Sequence, residues 1–490
     1  DSLYHFCVSN RNREMNNSRK RTKIVATIGP ASSDPEMIRN MLHAGMNVAR
    51  INFSHGHEQD HIDAISNLRQ IANEENIVLA LLGDLQGPKI RMGEFETIYL
   101  NENDEVRFSF DGSVEGTLGL PHHELYKALT AGSKMIIGDG EMDLEVVSND
   151  GTVLVCRSIY AGELKQRKGI NTPGTTHAIP SITEKDKNDL RFICQFDLDF
   201  VALSFVRTAD DINELRSLMA EQGKDIPIIA KIEKFEAIEN LKAIAKTANG
   251  LMVARGDLGL DMPTEQLPIL QKEIIRVANR YGIPVITATQ MLASMETNPR
   301  PTRAEASDIA NAILDGTDAI MLSNETAVGR HPILAIQTMA NIAENTEANF
   351  PYKEWRQKRK SIAKLGNISD AISTSACNLA EQINAKLIVT STMSGYTARQ
   401  ISRHRPVTMI YAVTPLARTR RQLALLWGVE CVRMGNVEST DEMITESISA
   451  IESGDTQIHL EKGDLVVLTG GVPFGKTGHS NLIQVHEVKR

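Results

Sequence analysis

The run Ile228-Ile229-Ala230-Lys231-Ile232-Glu233, followed by Met252-Val253-Ala254-Arg255-Gly256-Asp257, decides how this chain is read. Each is an apolar, buried-looking strand that ends in charge. Strand side chains alternate between faces, so Lys231 and Glu233 share one face where the first strand finishes. Asp257 follows a glycine at the end of the second. An ammonium and two carboxylates thus meet where two neighbouring parallel strands open. That grouping suits a magnesium ion, an oxyanion and a lysine to bridge them.

Outward from this pair, strand and helix alternate. Strands are expected at residues 23–28, 47–53, 78–82, 200–206, 227–232, 250–254, 284–288 and 319–322. Apolar residues at helical spacing follow them, as in Ile62-Ile65-Leu68-Ala72 and Ile238-Leu241-Ile244-Ala245. Ser33-Asp34-Pro35 opens the first helix and Gly45 closes it. The units predict an α/β chain built on a (β/α)8 TIM barrel, residues 22–88 and 185–350, with its active site at the C-terminal strand ends.

Residues 89–184 interrupt the third unit with alternating segments such as Glu105-Val106-Arg107-Phe108 and Asp143-Leu144-Glu145-Val146-Val147. Turns such as Asn149-Asp150-Gly151 separate them, and no helix is expected before Thr183. This reads as a small inserted β-barrel domain in a βα loop, either a lid over the mouth or a passive insertion. A charged linker at 351–361 leads to a C-terminal α/β domain, 362–490. Its strands are expected at 387–391, 409–413, 430–432, 464–468 and 482–488, with helices at 368–383 and 440–451.

With 490 residues, 41% hydrophobic and 23% charged, the chain can bury a large core. A net charge of -9 gives no help to nucleic-acid binding, and the basic runs at 11–23, 355–360 and 399–405 read as solvated faces. Cys7, Cys156, Cys194, Cys377 and Cys431 have neither zinc spacing nor a disulfide framework, which points to a reducing, cytoplasmic setting. No apolar run approaches the ~20 residues of a membrane span, so no membrane partner is expected. Asp1 to Lys20 is polar without a signal-peptide core; residues 1–21 read as a tail, with Met15 a candidate native start.

The remaining strand ends are equally polar. Arg50, Asn52 and Ser54 share one face in Arg50-Ile51-Asn52-Phe53-Ser54-His55-Gly56. The third strand ends in Gly83-Asp84-Leu85-Gln86-Gly87-Pro88-Lys89-Ile90-Arg91, the seventh in Thr287-Ala288-Thr289-Gln290, the eighth in Leu322-Ser323-Asn324-Glu325-Thr326. Such a mouth suits a phosphorylated carboxylic acid and a divalent metal.

These stretches, with Lys23 to Pro30, Met252 to Gly259, Ala288 to Leu292 and Met321 to Thr326, resemble the pyruvate kinase family in order and from about Lys23 to the C-terminus. The likeness is nearest to its potassium-independent bacterial type. It implies magnesium-dependent phosphoryl transfer from phosphoenolpyruvate to ADP, giving pyruvate and ATP, the last step of glycolysis. Glu233 and Asp257 are then the magnesium ligands, with manganese able to substitute. Arg50 and Lys231 grip the phosphoryl group, and Lys231 also neutralises the enolate oxygen. Amides at Gly256 and Asp257 receive the substrate carboxylate. Thr289 serves substrate binding and proton delivery, while Ser323 and Glu325 belong to the proton path; such hydroxyls also satisfy backbone groups at strand ends. Asn52, Phe53, Ser54, His55, Arg91 and, from the insert, Lys168 match nucleotide contacts. Asp139 matches an acidic lid residue or, alternatively, a turn aspartate.

The resemblance also places monovalent-cation ligands at Asn52, Ser54, Asp84 and the Leu85 carbonyl. Potassium-dependent members carry glutamate where this chain has Lys89, so potassium is not expected to be required, unless Lys89 points elsewhere. In the C-terminal domain, Thr392, Ser394, Gly395, Tyr396, Thr397 and Lys476 fall where the family binds a phosphorylated allosteric effector. Met393 and Tyr396 replace the lysine and arginine of bisphosphate-activated members, which favours a sugar monophosphate or AMP over a bisphosphate; a purely structural hydroxyl-rich loop is the alternative. No phosphohistidine-type extension is expected after Arg490. The family implies a homotetramer. A magnesium barrel lyase would share Glu233 and Asp257 but not need Lys168 or the His55 region, and a non-catalytic sensor would be free to lose Lys231 or Thr289.

Overall fold

The computed structural model describes residues 20–138, 140–175, 179–362, 368–437, 439–453, 458–472 and 478–489, the side chains of 358–362 excepted. Eight parallel strands close into a barrel: Lys23–Ile28, Val48–Asn52, Ala80–Asp84, Phe200–Leu203, Ile228–Ile232, Gly250–Ala254, Val285–Ala288 and Ala319–Leu322. Each expected barrel strand is present, trimmed by up to three residues, except the third, which runs two residues further than the expected 78–82 and starts two later. They are legible because both faces are buried. Ile24, Leu81, Ile228 and Val253 pack outward against the helices, while Val25, Leu82, Ile229 and Met252 fill the interior.

Local chemistry sets the helix ends. Asp34 accepts from the amides of Glu36 and Met37 ahead of the helix Pro35–His43, with Pro35 in its first turn. Thr183 and Asp186 form a reciprocal capping box on the helix Glu184–Gln195. Asp186 also accepts the amide of Gly87 at 3.0 Å, so the cap that ends the insertion holds the loop that begins it.

The inserted segment carries a six-stranded sheet and a two-stranded ribbon around a core of Phe108, Leu125, Leu144 and Leu154. A short helix, His123–Ala128, lies within it, where none was expected before Thr183. Six residues are too few for apolar periodicity to register, and burial of Leu125 and Tyr126 against the sheet holds the turn in place. The two chains that cross from barrel to insert pair with each other through Arg91 and Gly169, and Ile170 donates to the Ile90 carbonyl.

The charged stretch read as a linker is instead a helix, Tyr352–Ile362. Its Trp355 ring lies against Gly316, where a Cβ would come within 2.1 Å of the indole, so only glycine admits this packing. Beyond it, four parallel strands and an antiparallel edge strand, Leu482–Glu487, form the C-terminal sheet. Among the described residues no helix is long and apolar enough to cross a membrane. Among the described residues Cys156, Cys194, Cys377 and Cys431 form no disulfide, and Cys7 lies outside the described residues.

The C-terminal domain seals the barrel floor. Ala424 and Leu425 join the interior core at the N-terminal ends of the strands. Around that plug the contact is ionic. Arg405, fully buried, pairs with Asp318 at 2.9 Å, donates to the Gly316 carbonyl and stacks on Trp427 at 4.6 Å. Arg421 reaches buried Asp199 at 2.7 Å, which also accepts from Arg69 and the Leu81 amide. Removing one partner of a buried pair strands the other. Arg405→Leu is therefore expected to cost about 3–5 kcal/mol in thermal or urea unfolding, with partial recovery when Asp318→Asn is added. A loss below ~1 kcal/mol would show that the clasp does not hold the domains.

Candidate active site

The interior face of the barrel changes character along each strand with period two. On the fifth strand Ile229 is followed by Lys231 and then Glu233; on the third, Leu82 by Asp84; on the second, Val48 by Arg50 and Asn52. The count places apolar groups at the floor and charge at the mouth. It also brings up Ser204, two beyond Ala202, which sequence reading passed over although the same arithmetic finds it.

These groups meet in one network. Asp84, 1% exposed, takes Arg50 Nε on one oxygen at 2.7 Å and Lys231 Nζ on the other at 3.3 Å. Lys231 Nζ also stands 3.1 Å from Glu233 Oε1 and donates to Ser204 Oγ at 2.7 Å. Ser204 Oγ in turn donates to the Leu85 carbonyl, and Arg50 Nη1 to Thr27 Oγ1. Glu233 Oε2 accepts the Phe205 amide at 2.7 Å. Its buried Oε1 has no hydrogen-bond partner beyond the ion pair.

Burial would raise the Asp84 carboxyl, but Lys231 and Arg50 outweigh it and hold its pKa below the ordinary value. Burial would likewise lower Lys231, yet Asp84 and Glu233 raise its pKa. Glu233 goes up, because burial and the nearby Asp257 charge exceed the help from Lys231. A carboxylate with a raised pKa and an orphaned oxygen suits a cation, and Asp257 beside it is partly open. Among the described residues no group of three or more His, Cys, Asp or Glu side chains forms a metal site. A divalent ion here would take two protein carboxylates and draw its other oxygens from substrate and water, the usual habit of magnesium.

Asp257 lies in the short helix Arg255–Asp261 directly after the sixth strand. Lys89 Nζ approaches its Oδ1 at 3.9 Å. Lys89 thus turns toward Asp257, while the Asp84 oxygens and the Leu85 carbonyl are bonded to protein donors. Asn52 Oδ1 accepts the Ser54 amide, and the Phe53 carbonyl accepts from Lys185 Nζ.

At the seventh strand end Thr289 and Gln290 both have positive φ, 66° and 54°. A β-branched residue there is a true outlier and costs about 1–3 kcal/mol. Two bonds hold it. Thr289 Oγ1 accepts the Gly256 amide at 2.8 Å, and Arg255 Nη2 donates to the Thr289 carbonyl at 2.6 Å. The Gly256 amide is therefore engaged by Thr289. Glu325 gives one oxygen to the Ser323 amide and the other to the Leu292 amide, which ties the seventh and eighth strand loops together. Arg255, Ser204, Lys185 and the Phe205 amide went unread in the sequence; only Ser204 had a signal there.

Arg91 and Lys168 are engaged within the insert: Arg91 Nη1 donates to the Arg167 carbonyl and Lys168 pairs with Glu141 at 2.8 Å. The insert reaches the barrel mouth at Gly140, where a Cβ would stand 3.7 Å from Leu260. Asp139 lies outside the described residues. In the C-terminal domain Thr392 and Thr397 are buried, Thr397 shares a hydrogen bond with Ser480 at 2.8 Å, and Gly395 has φ 75° ahead of a seven-residue helix. Lys476 also lies outside the described residues.

Replacing Lys231 with Met would leave Asp84 and Glu233 with one cation fewer, so protons would stabilise the variant. Both carboxyl pKa values then rise, and a raised folded pKa gives stability that fades as pH climbs through it. The thermal-stability gap between wild type and Lys231→Met should be wide at pH 8 and narrow toward pH 5. A gap that does not change with pH would mean the ammonium is not what keeps these carboxylates ionised.

The family model "Pyruvate kinase, barrel domain" matches residues 19–336, and "Pyruvate kinase, alpha/beta domain" matches residues 370–486. The chain is similar to pyruvate kinase of Staphylococcus aureus strain MRSA252, 44% identical over 477 residues, covering 96% of this chain and 80% of that protein. The enzyme of strain COL gives the same identity and coverage. A crystal structure of a pyruvate kinase from Cryptosporidium parvum aligns with a TM-score of 0.90 at 34% identity, over 96% of each chain.

Proposed function

The chain belongs to the pyruvate kinase family and is a phosphotransferase, and on that premise we propose that its barrel mouth moves the phosphoryl group of phosphoenolpyruvate to ADP with magnesium held by Glu233 and Asp257. The observation that carries this reading is Lys231, whose ammonium contacts Asp84, Glu233 and Ser204 at the centre of the mouth. Magnesium, with manganese as a substitute, would supply positive charge against the phosphoryl and enolate oxygens.

The chain's own residues do the rest. Arg50 is oriented by Asp84 and Thr27 through Nε and Nη1, so its guanidinium edge is fixed before substrate arrives. Lys231 is kept protonated by two carboxylates and stands ready for the oxygen on which charge develops as the phosphorus leaves. At ~4 Å and an effective dielectric of about 20, one such contact is worth on the order of 4 kcal/mol before desolvation. Only the part that grows in the transition state speeds the reaction. Phosphoryl transfer leaves little covalent work, so positioning and charge neutralisation dominate.

The substrate carboxylate falls to the backbone at Gly256 and Asp257, where Thr289 must release the Gly256 amide or share it. Thr289 and Ser323 are the proton-side residues of this reading. Asn52 to His55, Arg91 and Lys168 face the nucleotide once Lys168 trades Glu141 for a phosphate, and the insert then acts as the lid that excludes water. Lys89 supplies beside Asp257 the positive charge that a potassium ion would bring. The Thr392–Thr397 loop with Lys476 takes a phosphorylated effector in an allosterically regulated, cytoplasmic glycolytic homotetramer.

A coupled assay for pyruvate from phosphoenolpyruvate and ADP tests the whole proposal. Turnover should require magnesium or manganese, and no metal-dependent pyruvate would sink it. Lys231→Met should lower kcat by about 10²–10³, the usual loss for one such stabilising group, with little change in KM. The rate should survive replacement of potassium by tetramethylammonium. Lys89→Glu should then lose on the order of tenfold without potassium, about 1.4 kcal/mol, and regain it when potassium is added. Equal behaviour of the two chains would assign Lys89 another role. Sugar monophosphates and AMP should shift the substrate dependence, and Thr397→Ala should blunt that shift. Light scattering reads the oligomer.

A further inference from the structure

We propose that a cavity between the barrel floor and the C-terminal domain is a binding site for a small organic anion, its charged group seated on Arg399 and Gln400. The cavity measures about 230 Å³ and is lined on the barrel side by Phe200, Asn249 and Tyr281. On the other side stand Tyr396, Arg399 and Gln400 of the helix Tyr396–Ser402. It lies at the opposite end of the barrel from the mouth, against the starts of the strands that begin at Phe200, Ile228, Gly250 and Val285.

Two observations point to an anion. Arg399 is the one charged side chain that lines the cavity, and no carboxylate lines it. Its guanidinium makes no ion pair among the described residues; it holds only a long 3.3 Å hydrogen bond to the Ser394 carbonyl. Burial pulls its pKa below the usual guanidinium value, with Tyr396 opposing, so the charge is poorly solvated where it stands. The second observation is independent. Gln400 is 6% exposed, lines the same cavity, and its amide makes no hydrogen bond among the described residues. An unpartnered amide that faces the cavity beside a cation without an ion pair offers two donors to a ligand that accepts from both.

The volume sets the size. It falls below the roughly 300–1,000 Å³ of sites for drug-sized ligands, too small for a nucleotide and suited to a short phosphorylated or carboxylated metabolite. Tyr281, Tyr396 and Phe200 give such a molecule an aromatic wall for its carbon skeleton. An occupant would bridge the two domains, because one wall belongs to each. The cavity shares Ser394 to Tyr396 with the proposed effector loop but not Thr392, Thr397 or Lys476. The pair that would hold the charged group, Arg399 and Gln400, lies outside the residues proposed for that loop.

Glycerol 3-phosphate is a fitting probe, titrated calorimetrically into the full chain as wild type, Arg399→Gln and Arg399→Lys. The mouth lies at the other end of the barrel, and repeating each titration in a Thr397→Ala background controls for the effector loop, so the differences that remain report Arg399. Wild type should show a saturable component that Arg399→Gln binds on the order of tenfold more weakly and Arg399→Lys largely keeps. Identical isotherms for wild type and Arg399→Gln would overturn the proposal. Should Arg399→Gln fold poorly, crystals of wild type grown with the probe decide: the phosphate against the guanidinium and the Gln400 amide supports the site. A cavity holding only water while the mouth is filled refutes it. Inorganic phosphate and acetate as separate probes tell which anion chemistry is preferred.

Discussion

Asp84 is the group on which the mouth depends. A carboxylate this buried survives ionised only if cations stand on both its oxygens, and Arg50 and Lys231 do so. Each ion alone would cost several kcal/mol to bury. Together with Glu233 they form two cations and two anions, close to neutral, whose remaining bonds go to Thr27, Ser204 and the Phe205 amide. That balance lets a polar cluster sit on top of an apolar barrel interior of Val25, Leu82, Ile229 and Met252. It also fixes directions. Lys231 cannot drift toward solvent without uncovering Asp84, so its ammonium is aimed before any substrate binds. Reaction chemistry that consists of charge moving between oxygens gains most from donors held in this way.

The one loose end in the cluster is Glu233 Oε1. It is buried, bonded to nothing but an ion-paired ammonium, and attached to a carboxyl whose pKa is raised by burial and Asp257. Bringing a divalent cation between Glu233 and Asp257 would cancel their mutual repulsion and satisfy that oxygen. Lys89 meanwhile leans on Asp257 from the hinge of the insert, where its Cε would lie 3.0 Å from a Cβ at Gly169. The strand at Gly169, Lys89 and the Asp257 carboxylate are thus parts of one contact between the insert and the mouth.

How far the sequence carries the reader follows from what kind of interaction places each residue. Barrel strands were legible because burial on both faces writes an unbroken apolar run, and the polar mouth because strand parity carries Ile229 to Lys231 to Glu233. Parity would have found Ser204 as well. Nothing local announces that Phe205, Thr289 and Gln290 adopt positive φ, since partners far along the chain hold them there: Glu233 for Phe205, Arg255 and Gly256 for Thr289. The helix Tyr352–Ile362 looked like a linker because its composition is charged, and its place is set by Trp355 meeting a glycine at 316. Residues placed by their own neighbours can be read from sequence; residues placed by distant partners cannot.

The same distinction explains how floor and mouth are joined. Arg421 of the C-terminal domain holds Asp199 together with Arg69. Asp199 immediately precedes the four-residue strand Phe200–Leu203, and Ser204 and Phe205 immediately follow it. One end of this short strand is pinned by the C-terminal domain, and the other supplies the hydroxyl to Lys231 and the amide to Glu233. A contiguous path is not coupling until some element on it has two arrangements. Phe205 lies on this path, a non-glycine residue at φ 54° whose backbone amide is held by the Glu233 carboxylate. Phe205 therefore stands between Glu233, the carboxylate that contacts Lys231, and the strand that the C-terminal domain grips.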